Sequence, residues 1–183
     1  MYDTYPKNET AVRVRWIIRR DYPEVLCIEE KGSEFPWTED DFIRCLRQRN
    51  AIGMVAETKE EVVGFMIYEL YKTTIHLVNF AVHPDWRRQK IGTQMVKTLV
   101  GKLSPQKRKR ITVEIRETHL PAQLFFRQCG FRVISIFRKH YDDTSEDAYL
   151  MLYKYQDPQE KQNIKKEDLL TRVISGLRDL NNP

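Results

Sequence analysis

Val78-Asn79-Phe80-Ala81-Val82-His83-Pro84-Asp85-Trp86-Arg87-Arg88-Gln89-Lys90-Ile91-Gly92-Thr93 is the stretch from which the fold can be read. Apolar Val78, Phe80 and Val82 end a strand, and Pro84 stops it. A tight turn carries Arg87, Arg88 and Lys90, and Ile91 then opens a long amphipathic helix. The first-turn N–H groups of a helix have no partner inside it, and the helix dipole adds partial positive charge there. Such a terminus can cradle a diphosphate. The three basic side chains add charge where that anion would lie. Gly92 lets the backbone come close.

Outward from this stretch, residues 75–83 are the strand and 90–103 the helix, with Ile91, Met95, Val96, Leu99 and Leu103 on one stripe. Residues 110–116 form the next strand, so strand, helix and strand make a right-handed parallel crossover. Upstream, 12–18 alternates with a period of two. Asp21, as N-cap with Pro23 behind it, opens a helix through residue 28. Thr38 caps a second helix to about Arg49, with Trp37 and Phe42 at staple spacing across the cap. Residues 52–57 and 62–71 are strands whose short connections make them antiparallel. Downstream, 121–129 is a helix closed by Gly130, and 131–137 and 148–155 are strands. The expected fold is α+β: a mixed, mostly antiparallel sheet with a central β-α-β crossover and flanking helices.

The chain has 183 residues, enough for one domain with a proper core. That domain is expected over residues 1–155. Residues 156–183 read as a helical appendage, with Leu169, Leu170, Val173, Ile174, Leu177 and Leu180 at helical spacing. It either docks on its own domain or meets a partner, so a monomer or weak dimer is expected. Hydrophobic residues make up 41% of the chain, which argues against disorder, yet no uncharged apolar run is long enough to span a bilayer. The opening MYDTYPKNET has no apolar segment, so no secretory signal is expected. Cys27, Cys45 and Cys129 form no CxxC pair and read as reduced, consistent with a cytoplasmic protein. His76, His83, His119 and His140 lack metal-ligand spacing with them, so no metal is expected.

Between Trp86 and Arg116 lie ten basic residues and one acid, Glu114, whereas the rest of the chain is net acidic. A basic block of this kind points to an anionic ligand, nucleic acid or a phosphorylated cofactor. A solvated helix face plus a charged turn is the plainer alternative. The run Lys107-Arg108-Lys109-Arg110 lacks interleaved aromatics, so it offers no stacking platform for single strands, and no specific nucleic-acid partner is expected.

The motif resembles the acetyl-CoA loop of the Gcn5-related N-acetyltransferase (GNAT) superfamily, Arg/Gln-x-x-Gly-x-Gly/Ala. Here it reads Arg87-x-x-Lys90-x-Gly92, with lysine at the first glycine. Further blocks are similar to the RimI-like ribosomal-protein-alanine N-terminal acetyltransferases: Phe35-Pro36-Trp37, Phe80-Ala81-Val82-x-Pro84, Val113-Glu114-Ile115-Arg116, Gly130-Phe131 and Glu146-Asp147-Ala148. They keep order and spacing over residues 12–155.

The resemblance implies acetyl transfer from acetyl-CoA to a protein N-terminal α-amine, a ribosomal protein being one candidate acceptor. Phe80, Ala81 and Val82 would border the pantetheine arm where two strands part. Residues Arg87, Arg88, Gln89, Lys90, Ile91, Gly92 and Thr93 would hold the diphosphate, with the Lys90 ammonium over it. Glu114 stands at the position of the family's catalytic glutamate, the alternative being a strand glutamate paired with Arg116 or another basic neighbour. Phe35 and Trp37 would wall the acceptor groove, with Tyr141 opposite. Phe126 stands where the pattern has a thiol-protonating tyrosine, and His119 where it has a cofactor-contacting asparagine. Tyr141, His119 or water would then replace the acid. Three other readings are weighed: acetylation of a lysine side chain or small amine, a non-catalytic acyl-CoA-binding module, and an RNA- or ribosome-binding protein.

Overall fold

The computed structural model describes residues 9–156 apart from residue 60. The expected appendage thus lies almost wholly outside the described residues. Seven strands form one sheet in the order β1-β2-β3-β4-β5-β7-β6. They are β1 (Arg13–Trp16), β2 (Ala51–Glu57), β3 (Val62–Leu70), β4 (Thr74–Val82), β5 (Arg110–Arg116), β6 (Arg132–Phe137) and β7 (Ala148–Lys154). Only β4 and β5 pair in parallel; the other neighbours are antiparallel. Among the described residues four α-helices flank the sheet: α1 (Tyr22–Gly32), α2 (Glu39–Leu46), α3 (Ile91–Val100) and α4 (Leu120–Gln128). The α+β crossover fold is as the sequence implies.

The alternation of side chains along the strands divides the core into two layers. Val55, Phe65 and Ile67 meet Val25 and Ile28 of α1 and Phe42 and Cys45 of α2. Met54, Met66, Ile75, Leu77 and Ile111 meet Ile91, Met95 and Leu99 of α3. Covered on both faces, β3 is buried from Val62 to Tyr68, which explains its unbroken apolar run.

Local chemistry fixes the helix ends. Thr38 accepts from the Asp41 N–H, the Asp41 carboxylate answers to the Thr38 N–H, and Trp37 packs edge-on against Phe42 at 5.3 Å. Gly130 has φ +94, and the Phe131 and Gly130 N–H groups bond the Phe126 and Arg127 carbonyls in a Schellman cap. Asp21 precedes α1 but does not cap it with its side chain. Its buried carboxylate takes Arg15 at 2.6 Å and the Ile18 N–H at 2.9 Å, and Arg15 also binds Glu57 at 2.6 Å. That network shortens the first strand to four residues, because the chain must turn at Arg19–Asp21 to bring the carboxylate back. The second helix ends at Leu46 rather than near Arg49, since the Gln48 N–H tightens onto the Cys45 carbonyl three residues back and the Ala51 N–H bonds the Gln48 carbonyl. A hollow of about 850 Å3 at this β1–β2 edge is lined partly by Arg13, Arg15, Asp21 and Glu57. Ion pairs among these four side chains make it a structural feature.

Candidate active site

Strands β4 and β5 are paired from Thr74↔Arg110 to Leu77↔Val113, and their register ends there. The cause is visible on the opposite edge of β4. Ile67 faces Asn79 and Tyr68 faces Leu77, so Val78 is an extra residue without a partner on β3. Such a bulge bends the strand and increases its twist. Beyond it Phe80, Ala81 and Val82 stay paired to Met66, Phe65 and Gly64, while their other edge has no paired strand. An unpaired strand edge is a template for an extended ligand.

The turn after β4 leads into α3 through two left-handed residues, Arg88 at φ 67 and Lys90 at φ 61. Lys90 is the N-cap of α3 and occupies the conformation that glycine would adopt without strain. Its ammonium lies 2.8 Å from Glu9 Oε2 and holds that carboxyl below its ordinary range. Arg87 is spent on the scaffold, donating to the carbonyls of Val82 at 3.2 Å and Gly32 at 3.3 Å. Gln89 accepts from Thr10. Arg88 makes no hydrogen bond or ion pair among the described residues. Ile91 is buried beneath the first turn and Thr93 is half-buried. A Cβ on Gly92 would stand 3.1 Å from the Phe125 ring, so glycine is what lets that ring reach the helix start.

Phe125 belongs to an aromatic cluster that joins this mouth to the core. Phe80 stacks on Phe125 at 5.6 Å and meets Phe126 edge-on at 5.6 Å. Phe126 is 4% exposed and packs also on Phe131. His119 caps α4, its Nδ1 accepting the Ala122 N–H at 3.3 Å.

Past Val113, the acidic and aromatic candidates converge around β5. Alternation puts Val113 and Ile115 into the α3 layer and Glu114 and Arg116 on the other face. The Arg116 guanidinium lies 4.3 Å from the Phe35 ring centroid and 3.8 Å from that of Tyr141. It also binds Asp143 at 2.7 Å and Glu146 at 2.8 Å. Phe35 and Tyr141 are therefore brought together by one cation. Burial pushes the Tyr141 phenol up from its ordinary value, Arg116 opposes that, and the Glu114 carboxylate adds to it. Glu114 Oε2 lies 2.8 Å from His140 Nε2 in the connection between β6 and β7.

Trp37 is directed elsewhere, into the α2 staple. Its backbone N–H donates to Glu29 Oε1 at 3.0 Å, and Asn79 Nδ2 donates to the same oxygen at 3.3 Å. Glu29 is 3% exposed, and burial raises its carboxyl pKa against both hydrogen bonds. It fastens the α1–α2 loop to the unpaired arm of β4. His140, Glu29 and Asn79 escaped sequence reasoning, because the pairs Glu114–His140 and Glu29–Asn79 join residues 26 and 50 apart. Arg116 was legible only as the end of a strand motif.

A parallel strand pair opened by a bulge, with a basic helix start at its mouth and a carboxylate inside, defines an acetyl-CoA-dependent N-acetyltransferase scaffold. A profile described as "Acetyltransferase (GNAT) family" matches residues 11–131, and the chain belongs to that family. The [ribosomal protein bS18]-alanine N-acetyltransferase of Escherichia coli K12 is 27% identical over 133 residues, covering 72% of this chain and 89% of the relative. The crystal structure of the ribosomal-protein-S18-alanine N-acetyltransferase from Escherichia coli superposes with TM-score 0.71 at 24% identity, over 80% of this chain and 95% of that one. Arabidopsis thaliana NAA60 in complex with acetyl-CoA superposes with TM-score 0.68 at 15% identity, over 79% of this chain and 99% of that one. These structural likenesses speak for the fold alone. No helix among the described residues is long and apolar enough to cross a membrane.

Proposed function

We propose that this chain transfers acetyl from acetyl-CoA directly to the N-terminal α-amine of a protein, in a ternary complex, with Glu114 as base. The carrying observation is the position of Glu114: in the opened stretch of β5, across the gap from the unpaired arm of β4, beside Arg116 and its two rings. The thioester arm fits the edge of Phe80, Ala81 and Val82. The diphosphate fits the start of α3, with Arg88 as the cation left available and Arg87, Gln89, Lys90, Ile91, Gly92 and Thr93 shaping the backbone around it. His119 and Phe126 border the same cofactor side, and Phe35 and Tyr141 the acceptor side, with Trp37 holding the α1–α2 loop behind them.

An α-ammonium group, pKa about 7.7–8.0, gives up its proton far more readily than a lysine at about 10.4. The acceptor enters as the neutral amine, its ammonium proton lost to solvent. Its lone pair forms the C–N bond at the acetyl carbon, Glu114 takes one proton from that nitrogen, directly or through one water, and the C–S bond breaks with its pair on sulfur. A backbone N–H near Val82 is suited to the oxyanion formed on the way. Sulfur, with a thiol pKa near 8.5, leaves tolerably at neutral pH. Phe126 has no proton to give it, so the Tyr141 phenol or water supplies that proton.

A ribosomal protein is the acceptor favoured by the relatives' names, and a cytoplasmic monomer or weak dimer acting without metal or specific nucleic acid fits this reading. Incubation with acetyl-CoA and peptides carrying both a free α-amine and a lysine, read by mass spectrometry, tests it. α-Modification is expected. ε-Modification would assign a lysine acceptor instead. Binding of acetyl-CoA without thiol release would leave only a binding module.

A further inference from the structure

Among the described residues the Glu114 carboxylate is held by a single side chain. An ionised carboxylate only accepts, so the 2.8 Å contact with His140 means that Nε2 carries the hydrogen. Glu114 Oε1 has no hydrogen bond or ion pair among the described residues. The imidazole is itself fixed. Its ring meets Tyr141 edge-on at 5.1 Å and Phe137 at 5.6 Å, and the His140 backbone N–H donates to the Glu146 carbonyl at 2.9 Å. Tyr141 in turn rests on Arg116.

We propose that His140 is a positioning residue for acetyl transfer. Its Nε2–H pins one oxygen of Glu114 and leaves the other for the acceptor nitrogen. This rests on the reading of Glu114 as base. In the step, an N–H bond of the acceptor breaks, an O–H bond forms at Glu114 Oε1, and the electron pair stays on nitrogen. His140 keeps its own Nε2 proton throughout. A glutamate on a strand otherwise samples several rotamers, and a base displaced by about 1 Å can cost about 100-fold.

The test compares His140→Ala and His140→Gln in the full chain, with an α-amine peptide. His140→Ala should lower kcat about 10- to 100-fold and leave the KM for acetyl-CoA within about twofold. His140→Gln, which offers an amide N–H in place of the ring's, should return kcat to within about fivefold of wild type. A His140→Ala enzyme with wild-type kcat would overturn the proposal. So would a His140→Gln enzyme no faster than His140→Ala at equal Tm. If Glu114→Gln itself leaves the rate unchanged, the base reading fails and this inference with it; a collapse of Glu114→Gln alongside an indifferent His140→Ala overturns only the inference.

Discussion

The strands β4 and β5 run side by side for half their length and apart for the rest, and the two halves behave as different materials. In the closed half, Ile75, Leu77 and Ile111 are at most 2% exposed and knit α3 to the sheet. In the open half, residues 78–82 are only half-buried, and Glu114 and Arg116 continue the β5 face on which the closed half carries Thr112, hydrogen-bonded to His76. One extra residue, Val78, divides them. The lesson is that this site is made by interrupting a sheet: the ladder forgone between the two strands is the vacancy the chemistry requires.

Substitutions in the two halves should separate cleanly. Glu114→Gln, in the open half, should lower kcat by about 10²–10⁴ with little change in Tm; single-turnover kinetics beside a thermal melt reads both. Leu77→Ala, in the closed half, should do the reverse, costing about 2–5 kcal/mol of stability by denaturant titration while the folded fraction keeps its turnover. Catalytic loss without instability for Leu77→Ala would dissolve the distinction.

A smaller contrast lies within the mouth. Arg88 is available and Lys90 is tied to Glu9, so calorimetry should find acetyl-CoA binding weakened about tenfold or more by Arg88→Ala, the scale of a charged hydrogen bond. Lys90→Gly should change affinity less than threefold, about 0.65 kcal/mol, and should remove left-handed strain of about 1 kcal/mol. Equal losses in both would put the Lys90 ammonium back over the diphosphate.

The smallest effect concerns the clasp between the α1–α2 loop and the open arm. Burial raises the Glu29 carboxyl, so the fold favours its protonated form and must carry a buried charge once pH rises through that range. Stability from this residue therefore falls as pH rises. Glu29→Gln keeps an oxygen for both donors and should raise Tm at pH 8 but not at pH 4. A Tm gain of equal size at both pH values would mean that the charge is not what costs.

Much of this was legible beforehand, for local reasons. The Trp37–Phe42 staple, the Thr38 cap and the Gly130 cap depend on residues within five positions of one another. The alternation of apolar residues announced the strands. Lys90 looked like a defect in a glycine motif, and only the backbone shows that it takes the left-handed turn while its side chain goes to Glu9. Sequence left open, as an alternative to its reading as base, that Glu114 pairs with Arg116 or another basic neighbour; the partner is His140, because Arg116 is drawn to Asp143 and Glu146.

By itself the order of residues determined the element succession, the crossover and the chemistry of the helix start, since periodicity, caps and turns act over a few residues. Tertiary structure alone decided where β4 leaves β5, which basic side chain stays available, and which nitrogen meets Glu114. Those outcomes depend on how a bulge bends one strand and how charges from distant segments choose among partners, and no local pattern carries that information.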